Sequence, residues 1–548
     1  MASVLMGASM WGYRALYWRP LERAAASPQR AQRQVLARLL SANAETQFAN
    51  DHHFASIRTV DDFRERIPVH EYEQLRPYID EQRRTGRNAL TREAPLFYAQ
   101  TSGSTGAPKL VPITPSMLRL HKQEQALFSY LQYRACPEAF AGKAWGIMGA
   151  AVEGRLDSGH TVGSVSGHLY RSLPRVIQRR FVVPPEVSTI GDYETKYLVI
   201  LRLALNEPRI TYLGTPNPST FLRLLDVLDT NRDLLARSVE SGRFDILDGL
   251  DRDVREAVRP RLSRSLHMAR CLAKDGDLTF ADLWPEIRLV TTWTGGSCGI
   301  ALNRLRATLP SHTRVMELGY QSTEFRGSIA LDTETAAGIP PLHHHFFEFV
   351  EQSSWDAQQP TFLTLDQLQQ GRTYYVIVTT ASGLYRYFMN DLVAVDGSCR
   401  STPLIRFLQK GKGVTSMTGE KLYESQVIES VSTTLSRHGC CPAFFTMIAD
   451  EQAGGYRVFV ELGDGSSADS QRVAQEIDDC LGRLNIEYHG KRVSGRLRPL
   501  DVVWLRDGTG EAFKASCVRA GQREGQFKHV ALQYRKDLRF PLEEYARA

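Results

Sequence analysis

Two apolar spacings alternate along the chain, and their alternation predicts a sheet packed by helices. The first hundred residues read as helices, with Val35, Leu36, Leu39 and Leu40 at three- and four-residue steps. Pro68 and Pro77 bracket a short polar helix around Glu71–Leu75. A longer helix is predicted over 115–133, with Thr114 as its N-cap, and others over 192–204 and 221–235. Between them lie short apolar runs with strand character: 145–152, 210–216, 288–293, 315–318 and 374–380. Short buried strands alternating with helices specify an α/β fold, with β-sheets covered by helices on their faces.

The pattern changes after the strand 404–408. Gln409-Lys410-Gly411-Lys412-Gly413 sets two glycines between cations, which predicts a flexible junction. Beyond it come a helix over 422–435 with Val427, Val431 and Leu435 on one face, a hairpin of 444–448 with 456–462 across Gly454-Gly455, and a helix whose face carries Val473, Ile477, Cys480, Leu481 and Leu484. A smaller α+β domain is therefore expected over 414–548. It follows a large N-terminal domain over 1–408 and a hinge at 409–413. No internal repeat is visible.

At 548 residues the chain is too long for one compact core, and 42% hydrophobic content supports two sizeable ones. Its net charge of +6 comes from scattered arginines, not one stripe, which argues against a nucleic-acid partner. The eight cysteines contain no C-x-x-C pair, and adjacent Cys440-Cys441 are poorly placed to bridge, so a reduced, cytoplasmic compartment is expected. His343-His344-His345 reads as a metal-binding run or as a turn feeding the strand 346–350. The turn is favoured, because no cysteine or carboxylate spacing accompanies it. Val4–Trp18 is interrupted by Arg14 and too short to span a bilayer; it also lacks the parts of a signal peptide. An amphipathic helix covering the main domain is expected there, with no membrane insertion, in a monomer or weak oligomer.

The candidate chemistry is concentrated at strand ends. Residues 98–112 feed the apolar Leu96-Phe97-Tyr98 into Thr101, Ser102, Gly103, Ser104, Thr105 and Gly106, then Lys109. Glycines let successive N–H groups turn toward a ligand, four hydroxyls add donors, and Lys109 adds a point charge suited to phosphate. The spacing is not that of the common P-loop, and no Ser or Thr follows Lys109 to hold a metal ion. Two more strands run into Thr294-Gly295-Gly296-Ser297 and into Gly319-Tyr320-Gln321-Ser322-Thr323-Glu324, and a third is followed by Leu384-Tyr385-Arg386-Tyr387-Phe388-Met389-Asn390-Asp391. In open α/β sheets ligands bind at the carboxyl ends of strands. There Tyr320 can stack on adenine, Glu324 can hold Mg²⁺, and Asp391 can accept the ribose hydroxyls, with Arg386 as its neighbour. The apolar Trp145, Met148 and Leu213 are candidates to bind an aromatic or aliphatic acid.

Taken in order, Thr-Ser-Gly-Ser-Thr-Gly-x-x-Lys, Tyr-x-Ser-Thr-Glu and Tyr-Arg-Tyr-x-x-x-Asp resemble the motifs of the Gretchen Hagen acyl-acid amido synthetases, members of the adenylate-forming superfamily known for joining auxin or jasmonate to amino acids. The similarity extends over nearly the whole chain, through Asn43–Phe48 and Phe63–Val69 to Gln526-Phe527-Lys528. It implies ATP and Mg²⁺ as cofactors, a small carboxylic acid activated as its adenylate, and an amino acid or other amine as acceptor. Lys109 and Glu324 are then catalytic, with Lys421 and Lys528 as candidate lysines of a mobile C-terminal lid. Coenzyme A as acceptor, or a silent acyl-acid binding protein, are the other readings. Two positions depart from the family pattern. Asn390 stands where a glycine is usual, and Thr323 where a serine is. Asn tolerates left-handed backbone, which would preserve the turn.

Overall fold

The structure is a computed structural model that describes residues 2–101, 109–295, 298–411, 413–440, 442–462, 469–519 and 530–547. It divides into two compact units, Met1–Gln100 with Leu110–Gln409, and Thr101–Lys109 with Lys410–Ala548.

The first unit is built on three sheets. One is parallel, with strands Lys143–Gly146, Ile210–Gly214, Leu289–Thr292 and Arg314–Glu317 side by side. Both of its faces are covered, as a parallel sheet requires. In register, Trp145, Leu213, Val290 and Val315 form one row that packs into a helical core with Phe221, Phe280 and Trp284. Tyr212, Leu289 and Met316 point the other way into a second core. The strand period of two sorts the same segments between two cores. A seven-stranded sheet carries Phe346–Glu351, Thr373–Thr379, Tyr387–Cys399 and Thr402–Lys410 in its interior, and Phe97–Thr101 and Lys109–Ile113 belong to a four-stranded sheet.

The N-terminal helices Ala2–Tyr13 and Arg19–Ala25, with a π-helical turn between them, bury Met10, Trp18, Leu21 and Ala25 in the second of these cores and leave Trp11 and Leu16 exposed. Among the described residues no helix is long and apolar enough to cross a membrane. Residues 343–345 do form a turn ahead of the strand Phe346–Glu351, with His344 Nδ1 and His345 Nε2 at 3.0 and 3.1 Å from the buried Glu124 carboxylate.

In the second unit, strands Pro442–Asp450 and Gly455–Leu462 form the central hairpin, flanked by Asp501–Leu505 and Leu532–Tyr534. Val427, Val431 and Leu435 of helix Glu424–Arg437, and Val473, Ile477 and Leu481 of helix Ser470–Leu484, pack on one face. Phe513, Phe540 and Leu542 cover the other.

Several expectations need correction. The apolar run 145–152 is a strand only through Gly146; the small Gly149-Ala150-Ala151 further on give a strand little side chain with which to pack a pleated face. Residues 221–235 fall in two helices, Ser219–Thr230 and Arg232–Ser241, broken at Asn231. Pro77 lies inside helix Tyr72–Thr85 and does not bound it; Tyr72, Leu75, Ile79 and Gln82 bury one face across the proline, and that burial outweighs the lost hydrogen bond.

Candidate active site

The parallel sheet ends where the predicted motifs begin. After Glu317 the chain enters Gly319 with φ 92°, where a Cβ would stand 2.4 Å from the Ser328 carbonyl oxygen, so only glycine fits. Residues 320–328 then form a tight hairpin: Tyr320 O accepts from the N–H groups of Gly327 and Ser328, and Ser322 N–H donates to Phe325 O. The chain reverses at Thr323–Glu324, and Glu324 is only 4% exposed at that tip.

Asp391 arrives from the seven-stranded sheet through a bulge. Tyr375 pairs with Leu392 and Ile377 with Phe388, so Met389, Asn390 and Asp391 together face Val376. Asn390 has φ 50°, the left-handed conformation that asparagine tolerates. The bulge re-aims Asp391, as bulges beside functional sites do. Its Oδ2 accepts a hydrogen bond of 2.7 Å from the Tyr320 hydroxyl, and it is 1% exposed. Burial, then the charges of Asp391 and Glu324, hold the Tyr320 phenol well above its ordinary value, so it stays a donor. Tyr320, Glu324 and Asp391, separated by up to 71 residues, therefore share one electrostatic neighbourhood.

The Tyr320 ring is itself packed. Phe407 stacks on it at 5.6 Å and 19°, and Gly327 passes so close that a Cβ would meet a ring carbon at 2.1 Å. Phe407 O also lies 3.4 Å from where a Cβ of Gly295 would be, which brings the Thr294–Gly295 loop to the same place. Ser322 and Thr323 are half-buried in the hairpin.

The remaining expected site residues have the following surroundings. Arg386, with φ 44°, turns its guanidinium to Glu348 at 2.9 Å and to the carbonyls of Arg64 and Ile67, tying the strand to an N-terminal segment, away from Asp391. Trp145 and Leu213 are fully buried among core side chains, and Met148 is half-buried just past the strand end. Lys109 opens its strand, and its ammonium lies 3.4 Å from the Tyr423 hydroxyl, both in the second unit. Lys421 follows a loop closed by Glu420, and its backbone is held by Glu487 and Asn485. Thr101 ends the strand Phe97–Thr101. Ser102, Gly103, Ser104, Thr105, Gly106, Gly296 and Lys528 lie outside the described residues.

Sequence reasoning overlooked Glu317. One oxygen of its buried carboxylate accepts the Thr294 N–H at 2.7 Å and the Thr294 hydroxyl; the other accepts the Gly319 N–H at 3.0 Å. Burial raises this carboxyl above the ordinary range, while those hydrogen bonds pull it down. The signal was a lone acid in the apolar strand Val315–Leu318, which must find donors inside the protein.

Magnesium takes one or two carboxylates and fills its shell with phosphate oxygens and water. Among the described residues no group of three or more His, Cys, Asp and Glu could hold a metal. The single carboxylate of Glu324, 4% exposed at the hairpin tip, fits an ion that is delivered with a nucleotide.

The parallel sheet with a buried acid pair around a tyrosine at its carboxyl edge, and the small α+β unit that follows, belong to a fold shared with adenylate-forming ligases. A solved 2-hydroxyisobutyryl-CoA ligase, in complex with 2-HIB-AMP and CoA, shares the fold with a TM-score of 0.53 at 13% identity over 94% of this chain and 92% of that one. The chain belongs to the GH3 family: its N-terminal domain matches residues 18–314, its central domain 339–410 and its C-terminal domain 425–536. The chain is 23% identical to the indole-3-acetic acid-amido synthetase GH3.15 of Arabidopsis thaliana, over 93% of this chain and 91% of the relative. It is 24% identical to the probable indole-3-acetic acid-amido synthetase GH3.1 of Oryza sativa subsp. japonica, over 93% and 88%. The solved AtGH3.15 acyl acid amido synthetase in complex with 2,4-DB has the same fold, with a TM-score of 0.68 at 21% identity over 98% of this chain and 96% of that one.

Proposed function

We propose that this protein is an ATP-dependent acyl-acid amido synthetase whose adenylation centre is the Tyr320–Glu324–Asp391 cluster. In the first half-reaction a carboxylate oxygen of a small aromatic or aliphatic acid attacks the α-phosphorus of ATP. The new P–O bond forms as the bond to pyrophosphate breaks. In the second, the nitrogen of an amino acid or other amine attacks the acyl carbon, AMP leaves, and the amine gives up a proton.

The observation that carries this reading is the convergence of Glu324 and Asp391 on Tyr320 from two different sheets. Glu324 would hold Mg²⁺ together with phosphate oxygens, and the ion would supply charge neutralisation at the phosphates. Asp391 accepts from the ribose diol, in exchange for or beside the Tyr320 hydroxyl. Lys109 and the hydroxyl-rich run 101–106 bind phosphate, and Lys421 or Lys528 approaches the acyl phosphate from the second unit. Met148, half-buried past its strand end, is a better candidate for acid contact than Trp145 or Leu213, which fill a core.

We further propose that residues 409–413 are a hinge that lets the second unit serve the two half-reactions in turn. Gly411→Pro should then slow amide formation while ATP binding stays close to wild type. Equal wild-type rates for both half-reactions would make the junction an ordinary linker. The eight cysteines contain no C-x-x-C pair, and we place the protein in a reducing, cytoplasmic compartment.

The experiment is acid-dependent pyrophosphate release with ATP and Mg²⁺ over a panel of acids, followed by mass-spectrometric product identification with amino acids. Acid-dependent release with an amide product is expected. Turnover that needs coenzyme A in place of an amine would assign a thioester ligase, and no release with any acid would leave a binding protein.

A further inference from the structure

We propose that Glu317 is a positioning residue for adenylation: its carboxylate locks the Thr294–Gly295 loop to the Gly319–Tyr320 step and so fixes where Tyr320 and Glu324 stand. This rests on the adenylation reading above and assigns a role that none of its motifs contains.

The need for a lock follows from the sheet. Thr292 and Glu317 are the last register pair of their strands, and Leu318 N–H to Thr292 O, at 3.0 Å, is the bond beyond it. Past that bond the two strands run into separate loops: one carries Tyr320, and the other, at Gly295, approaches Phe407, whose ring stacks on Tyr320. Glu317 joins them with one side group. Its two oxygens accept N–H groups from residues 25 positions apart, Thr294 and Gly319. The Trp293 indole adds a second tie, donating to Gly319 O at 3.1 Å. Gly319 is thus held at both its N–H and its carbonyl. The next residue is Tyr320, whose N–H donates to Ser328 Oγ at 3.0 Å and whose hydroxyl reaches Asp391. From Glu317 to Asp391 the path is the hydrogen bond to Gly319, the peptide link to Tyr320 and the hydrogen bond to Asp391, so the rigidity of the sheet is carried into the hairpin that bears Glu324.

A carboxylate is the chemistry this joint requires. Both partners on the backbone are donors, and a carboxylate is acceptor-only at both oxygens. An amide of the same size offers one acceptor and one NH₂, which would face a second N–H. A buried acid also carries a desolvation cost that a neutral residue would avoid, so its presence points to this geometric demand.

The test is Glu317→Gln in the full chain, compared with wild type for melting midpoint, ATP–Mg²⁺ binding by calorimetry, and kcat and KM for ATP and for acid in pyrophosphate release. The expected result is a folded variant with kcat/KM for ATP down about tenfold or more, the worth of one charge-assisted hydrogen bond. KM for the acid should stay within about twofold, and Glu317→Asp, which keeps two acceptor oxygens, should recover part of the loss. An unimpaired Glu317→Gln, or equal losses toward ATP and acid that track the melting midpoint, overturns the proposal. Should Glu317→Gln not fold, Thr294→Val, which removes the hydroxyl donor, carries the test: a loss of about threefold toward ATP supports the lock and wild-type kinetics overturn it. A wild-type chain that binds no ATP sinks the adenylation reading and this inference with it. A wild type that adenylates beside an unimpaired Glu317→Gln sinks the inference alone.

Discussion

Glu317 in the first unit and Glu420 in the second each turn a buried carboxylate on backbone N–H groups, but they join different things. Glu317 ties two loops that follow neighbouring strands, one of which carries Tyr320. Glu420 closes its own loop: it accepts from the N–H groups of Met417 and Thr418, the Thr418 hydroxyl and the Tyr456 hydroxyl, all at 2.7–2.8 Å. Lys421 comes next, with its backbone N–H on Glu487 and its carbonyl on Asn485. A bridging acid sets the relation between parts of a site, whereas a closing acid sets the shape of one presented loop. Loss of the first should appear in substrate kinetics, and loss of the second in local stability and in the step that uses the loop.

The hardest way to break this comparison is at the group that Glu317 is said to position. Glu324→Gln should lower acid-dependent pyrophosphate release by about 10²–10³-fold with the fold intact, as loss of an electrostatic or metal contact commonly does. A wild-type release rate at saturating Mg²⁺ would remove Glu324 from the site.

A pH effect of about 3 kcal/mol tests the other strand that forms the site. His70 braces 385–388: its ring nitrogen lies 2.9 Å from Tyr385 O, its N–H donates to Arg386 O, and its carbonyl accepts from Phe388. Burial depresses its pKa from 6.5 to about 4, so the folded protein takes up this proton later than the unfolded chain. Its contribution is complete above pH 6.5 and is lost as pH falls toward 4, up to about 3 kcal/mol for that difference. His70→Gln should remove this part of the wild-type slope in denaturant titrations; an identical slope in both proteins would show that His70 is not the group.

Asp391→Ala sharpens the comparison from the acceptor side. ATP binding should weaken by roughly 2 kcal/mol through lost charge-assisted hydrogen bonds, with acid affinity nearly unchanged. Equal losses for both ligands would make Asp391 a structural partner of Tyr320. Glu420→Gln should cost the second unit about 1–2 kcal/mol of stability, because one donor is left without an acceptor. It should also slow amide transfer more than adenylation. An adenylation defect as large as that of Glu317→Gln would erase the distinction between bridging and closing acids. The smallest effect is expected at Gly413, where φ is 74°: Gly413→Ala should destabilise the junction by about 1 kcal/mol, read as a lower melting midpoint.

The sequence disclosed the parts whose signal is local. The helix cap Thr114, the hairpin across Gly454, and the tolerance of Asn390 for left-handed backbone all follow from residue chemistry at one place. Tyr320, Glu324 and Asp391 could be singled out as candidates because each stands in a short motif. What stayed hidden depends on which face a residue takes in three dimensions. Trp145 and Leu213 share a register row with Val290, so they turn into the helical core, a fact set by strand pairing that no local pattern records. Arg386 sits in a motif beside the site, yet a positive φ turns it to Glu348. Glu317 was hidden for the same reason: its two partners are brought together only by the sheet.

The central claim is that ATP is activated against a carboxylic acid at the Tyr320–Glu324–Asp391 cluster. Acid-dependent exchange of labelled pyrophosphate into ATP reads that step alone, with no amine present. The account predicts exchange by the wild-type chain with at least one aromatic or aliphatic acid, and its loss in Glu324→Gln and Asp391→Ala variants that remain folded. Exchange at the wild-type rate in both variants would contradict it.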